Sequence, residues 1–84
     1  MEKPWPQYRS HKLVRATEIV AIATAGSKIV LFVQPGDRRE TFEPSEPAMA
    51  ARANVGDYAI VYDGGFRSIS PKAAFDGGYT RIGA

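Results

Sequence analysis

Asp63-Gly64-Gly65 stands between two short runs of strand-forming residues, Tyr58 to Tyr62 and Phe66 to Ser70, and no other stretch restricts the fold so tightly. Aromatic and β-branched side chains favour a pleated sheet on either side of it. Asp-Gly and Gly-Gly both supply the positive φ that a tight reversal needs, so the segment predicts a β-hairpin. A two-residue loop places Tyr58, Ile60, Tyr62, Arg67 and Ile69 on one face and Ala59, Val61 and Phe66 on the other. A three-residue loop moves Phe66 across to join the tyrosines. The sequence leaves both open.

Beyond the hairpin, Ser70 is placed to cap a short helix. Pro71 suits the first helical position and Gly77 the left-handed residue past the end. Tyr79 to Ile82 reads as a last extended segment. Earlier in the chain, Leu13 to Thr24 is a long run of Val, Ile, Ala and Thr around a single Glu18. This predicts a strand, and its imperfect alternation predicts a bulge near Thr17 or Glu18. Ala25-Gly26-Ser27 is a turn, and Lys28 to Gln34 is an apolar run with no polar alternation. Such a run predicts a strand buried on both faces, in the middle of the sheet or against a partner subunit. Pro35-Gly36 fits the centre of a type II turn, which returns Arg38 to Phe42 antiparallel. Pro44 to Asn54 reads as a capped, alanine-rich helix over the sheet. Trp5, between Pro4 and Pro6, belongs to an extended arm over residues 1–7, its indole either packed on the fold or left for a partner.

These elements predict an α+β, mainly β fold: a small antiparallel sheet or partly open barrel of about five strands with two short helices. At 84 residues, 44% of them hydrophobic, the chain is long enough for one core and is expected to form a single domain, 1–84. A domain this small without cysteine has no disulfide staple, and self-association is the usual substitute. No apolar stretch is long enough to cross a bilayer, and the first residues have no signal-peptide core. A cytoplasmic setting with no membrane partner is therefore expected. The net charge of +2 weakly favours anionic partners.

Chemistry-bearing patterns are sparse. His11 is the only histidine and has no Ser or carboxylate at a nucleophile spacing; no cysteine is present. No metal-ligand pattern is recognisable, and no cofactor is implied. Gly64-Gly65 and Gly77-Gly78 are better explained as turn glycines than as phosphate loops, which lie between a strand and the start of a helix. Ser70-Pro71-Lys72 is a helix start with a nearby cation. The constellation that most suggests binding is Arg67 near Tyr62 on one hairpin face, with Tyr8, Arg9, His11, Lys12 and Lys72 as further candidates. Guanidinium groups hold phosphates through paired hydrogen bonds, and aromatic rings stack on bases. The plainer account of Arg67 and Tyr62 is a cross-strand cation–π pair.

The segments Tyr8-Arg9-Ser10-His11-Lys12, Val55-Gly56-Asp57-Tyr58, Tyr62-Asp63-Gly64-Gly65-Phe66 and Ser70-Pro71-Lys72-Ala73-Ala74-Phe75, with Gly78-Tyr79-Thr80, resemble a set of small proteins of tailed bacteriophages and prophages. The likeness covers most of the chain outside residues 25–54. That set carries no established biochemical activity, so the resemblance implies a viral origin and a host-cytoplasm setting and transfers no functional residue. Together these readings predict a non-catalytic phage accessory protein, a homo-oligomer that sequesters an anionic nucleotide in an anti-defence role. The alternatives are a nucleic-acid- or host-protein-binding β-barrel module and a virion or assembly component.

Overall fold

A computed structural model describes residues 5–9 and 13–82. Its organising element is one long strand. After a short first strand, β1 (Gln7–Arg9), the chain runs through the thirteen residues of β2 (Leu13–Ala25). At about 3.3 Å per residue a strand of that length matches the 39 Å long axis of the molecule, against 26 and 22 Å in the other directions.

The first half of β2 is paired on both edges. β1 pairs with residues 13–15, and β5 (Tyr58–Tyr62) pairs with residues 14–18 on the opposite edge, both antiparallel. β7 (Thr80–Ile82) adds to the free edge of β1, and β6 (Arg67–Ser70) to that of β5. The second half of β2 forms a hairpin with β3 (Lys28–Val33), and β4 (Glu40–Phe42) lies outside β3. The fold is thus the mainly β, α+β class expected, an antiparallel sheet of seven strands not closed into a barrel. It curls enough to bring the chain after β4 to the edge of β6. There the Ser45 amide donates to the Arg67 carbonyl, and the Arg67 amide to Ser45 Oγ, each at 2.8 Å.

The curl creates two apolar clusters, one on each face. The inner one holds Ile19, Leu31, Val33, Phe42, Ala50 and Ala59; the outer one holds Val14, Ala16, Tyr58, Ile60 and Phe75. β5 supplies both, so Tyr58, Ala59 and Ile60 are all buried in succession. This is the strand buried on both faces, a role the sequence suggested for Lys28 to Gln34. In β3 only Leu31 and Val33 are buried, and Val30 and Phe32 on the alternate face are half-buried. The reason is the placement of α1 (Lys72–Gly78): its Phe75 is 1% exposed and packs over β5, whereas β3 has Ala50 against its inner face and no described helix over its outer one.

The bulge expected near Thr17 or Glu18 is present just beyond them, between Ile19 and Ala21, where it moves the inward-facing positions from Ile19 to Ile22. Several other local expectations are corrected. The alanine-rich segment forms a 3-10 helix over Pro47–Arg52 whose N-cap residue, Glu46, makes no side-chain capping bond, while Ser45 is engaged with Arg67. Among the described residues positive φ occurs only at Gly26, Gly56 and Gly65, so Pro35-Gly36 does not form a type II turn. α1 continues through Gly77 and Gly78 with no left-handed residue at its end, and Ser70 does not cap it. The hairpin uses the three-residue loop. Tyr62 donates its amide to the Phe66 carbonyl, Gly65 donates to the Tyr62 carbonyl, both at 2.9 Å, and Gly65 has φ 94°. This is a type I turn closed by a glycine bulge, which puts Phe66 on the tyrosine face.

Candidate functional site

The hairpin register decides the fate of the expected constellation. Val61 pairs with Arg67, and Tyr62 lies opposite Phe66, so Tyr62 and Arg67 point to opposite sides of the sheet. Tyr62 and Tyr8 go to the outer aromatic cluster. Its centre is Phe75, stacked on Tyr58 with centroids 4.1 Å apart and on Tyr79 at 4.6 Å, while Tyr8 meets it edge-on at 4.7 Å. Burial, and secondarily the neighbouring Tyr8, pushes the Tyr58 hydroxyl far above its ordinary pKa; burial, then Tyr79, raises that of Tyr62.

Lys72 lies at the rim of this cluster. Its Nζ donates to Glu18 Oε2 at 3.3 Å, is 3.5 Å from Asp76 Oδ2 and sits 5.5 Å from the Tyr58 ring centroid. The bond to Glu18, then the charges of Asp76 and Glu18, raises its pKa. An ammonium held by two carboxylates is already neutralised and is poorly placed to receive an external phosphate. His11 and Lys12 lie outside the described residues, as does the side chain of Arg9, whose backbone pairs with Leu13 and Thr80.

Arg67 instead joins residues that sequence reasoning did not group with it. Gln7 pairs with Arg15, Arg15 with Val61, and Val61 with Arg67, so one cross-strand row on the inner side carries both arginines. Strands are spaced about 4.8 Å apart, which separates their backbones by about 10 Å. Above this row lies an open cleft of about 400 Å³, lined by Trp5, Arg15, Phe42, Glu43, Val61 and Arg67 with Glu40 and Thr41 beside them. Trp5 is packed on the fold, its ring 6.0 Å from that of Phe42 and its Nε1 donating to Glu40 Oε1 at 3.4 Å.

Arg67 is held in place by its Nε, which donates to the Glu43 carbonyl at 2.8 Å. Its remaining N–H donors are not part of that bond. Among the described residues the only ion pairs are those of Lys72, so neither cleft arginine lies within 4.0 Å of a carboxylate. Two guanidinium groups with no carboxylate partner among the described residues, two aromatic rings and two carboxylates therefore border one concavity. The signal that would have found it is the parity of Arg15 in β2, but only the pairing of β2 with β5 and of β5 with β6 sets it beside Arg67.

A second cleft, about 460 Å³, lies on the far side of β4 and is lined mainly by Ile29, Val30, Phe42, Pro44, Pro47 and Ala50. Among the described residues no group of three His, Cys, Asp or Glu side chains is placed to hold a metal, and no helix is long and apolar enough to cross a membrane. No protein-family model, curated protein or solved structure matches the chain.

Proposed function

We propose that this chain is a phage-encoded accessory protein that holds an anionic nucleotide without transforming it, as a self-associating small β domain. The observation that carries this reading is the pair Arg15 and Arg67, unpaired with any carboxylate among the described residues, facing Trp5 and Phe42 across one cleft. Arginine forks match phosphate oxygens, and an indole offers a stacking surface to any base. A cleft of about 400 Å³ suits one nucleotide better than a track for a strand. Glu40 and Glu43 balance the charge of the arginines, which favours a ligand with a phosphate at one end and N–H donors on its base at the other.

The test is to purify the protein, denature and extract it, and identify any released nucleotide, then to follow its melting temperature against a panel of linear and cyclic nucleotides. A nucleotide raises the melting temperature of the native chain, and Arg15→Ala or Arg67→Ala weakens binding by about tenfold or more, since a hydrogen bond to a charged group is worth about 1.5–3 kcal/mol. No released nucleotide together with an unmoved melting temperature across the panel overturns the reading.

A further inference from the structure

The second half of β2 leaves one edge without a strand. Ile19 still uses that edge: its amide donates to the Asp57 carbonyl at 2.8 Å and its carbonyl accepts from Gly56 at 2.9 Å. The pairing with β5 ends at Glu18 and Tyr58, and β3 occupies the opposite edge. Ala25 and Lys28 close a two-residue loop in which Gly26 has φ 66° and Ser27 has no positive φ, the pattern of a type II′ turn. The closing pair of such a loop is hydrogen-bonded, so Ala25, Ala23 and Ala21 direct their backbone groups to β3. Ile22 and Thr24 direct theirs outward, where no described strand meets them.

Exposed sheet edges are ordinarily blunted by a charge, a proline or a covering segment. From Ile19 to Ser27 the sequence is Ile-Val-Ala-Ile-Ala-Thr-Ala-Gly-Ser, with neither charge nor proline. Two of the large apolar residues most exposed to solvent border this edge. Val20, 39% exposed, sits at its root, and Val55, 62% exposed, directly precedes the Gly56 amide bonded to Ile19.

We infer that the Val20 to Ala25 edge of β2 is the self-association surface, occupied by the same edge of a second copy in antiparallel pairing about a two-fold axis at Ala23. The segment is complementary to itself in this register. Ile22 of one copy and Thr24 of the other exchange amide and carbonyl bonds, and the same exchange recurs on the far side of the axis. β-branched side chains then adjoin β-branched ones on one face and alanines adjoin alanines on the other. No charged residue lies in the paired segment, so nothing there opposes two copies of a chain with net charge +2. The pairing makes one sheet continuous across both copies and deepens the self-association already proposed, while making no use of the nucleotide cleft.

The test is the mass of the native chain by light scattering and sedimentation, beside Thr24→Pro and Thr24→Lys. Thr24 is exposed, and its outward amide is not part of the β3 ladder, so both changes blunt the edge and spare the hairpin. The native chain has twice the mass of one chain, and both variants have the mass of one with an unchanged circular dichroism spectrum. A native monomer, an odd-numbered ring, or a folded Thr24→Pro that stays dimeric overturns the inference. Should the variants lose their fold, hydrogen exchange on the native dimer decides: slow exchange at Ile22 and Thr24 supports the pairing, and fast exchange there overturns it. Nucleotide extraction and the melting-temperature panel on the same samples report the cleft separately: a dimer that releases no nucleotide and is stabilised by none fails the binding reading alone, and a monomer that carries one fails this inference, and self-association with it, while leaving the binding reading standing.

Discussion

The Asp57 carboxylate caps a helix that begins fifteen residues after it: its Oδ1 accepts the Lys72 backbone amide at 3.3 Å. The other oxygen accepts the Asn54 amide at 3.0 Å, so one side chain ties the start of α1 to the turn that leads into β5. A charged acceptor at a helix start also meets the positive end of its dipole. Asp57→Ala is expected to lower stability by about 1–2 kcal/mol, a fall in melting temperature of about 4–8 °C per kcal/mol for a domain of this size. Ser70→Ala, the change that local sequence marks as the loss of a cap, is expected to be close to neutral, because Ser70 Oγ makes only a 3.3 Å contact with the Pro71 carbonyl. Equal losses from the two substitutions would contradict the assignment, with thermal melts as the readout.

Phe75 explains why a seven-residue helix persists at all, since isolated helices of that length do not form in water. Its ring is 1% exposed and lies between Tyr58 and Tyr79 with Tyr8 against its edge. Phe75→Ala is expected to cost about 3–5 kcal/mol, a large share of the total stability of about 5–15 kcal/mol typical of a domain. Phe75→Leu keeps much of the volume and is expected to lose less. Urea titrations separate the two, and a fully folded Phe75→Ala of native midpoint would remove the outer cluster from the account of stability.

The hairpin loop offers a comparison free of side-chain crowding. A Cβ at Gly64 or at Gly65 meets nothing within 4 Å, but only Gly65 has positive φ, at 94°. Gly65→Ala is therefore expected to cost about 1–2 kcal/mol through backbone strain alone. Gly64→Ala is expected to be neutral or to stabilise by up to about 1 kcal/mol by restricting the unfolded chain. The reverse order in a denaturant titration would favour a two-residue loop.

Strand positions were largely legible in the sequence because alternation and turn glycines are local signals. Leu13 to Thr24, Tyr58 to Tyr62 and Tyr79 to Ile82 all appear as strands within a residue of their expected bounds. What was not legible is who pairs with whom. The face of Arg67 depended on one residue of loop length, and its partnership with Arg15 depended on two separate strand pairings. The cap at Asp57 escaped for the same reason, since a helix start was assigned to the nearest hydroxyl while the acceptor in space came from before β5. The outer face of β3 is less buried than its unbroken apolar run suggests, because such a run cannot say which strand α1 covers.

Alkaline pH tests the outer cluster as a set. Tyr58 and Tyr62 are raised above the ordinary value of 10.0, foremost by burial, and Lys72 above 10.5, foremost by its bond to Glu18. In each case the folded chain holds a proton that the unfolded chain gives up first, so the stability these groups contribute is complete below pH 10 and is lost as pH rises beyond it. For Tyr58 the fall approaches about 1.4 kcal/mol per pH unit while one proton differs between the states. Phenolate absorbance of the folded protein should rise later than that of the chain in denaturant, and the urea midpoint should fall progressively above pH 10. Tyr58→Phe keeps the ring stack and removes the titrating hydroxyl along with its 3.4 Å bond to Glu18. That variant is expected to start slightly less stable and to decline less steeply with pH. Parallel declines for the variant and the native chain would show that the Tyr58 hydroxyl is not the group whose burial sets the alkaline limit.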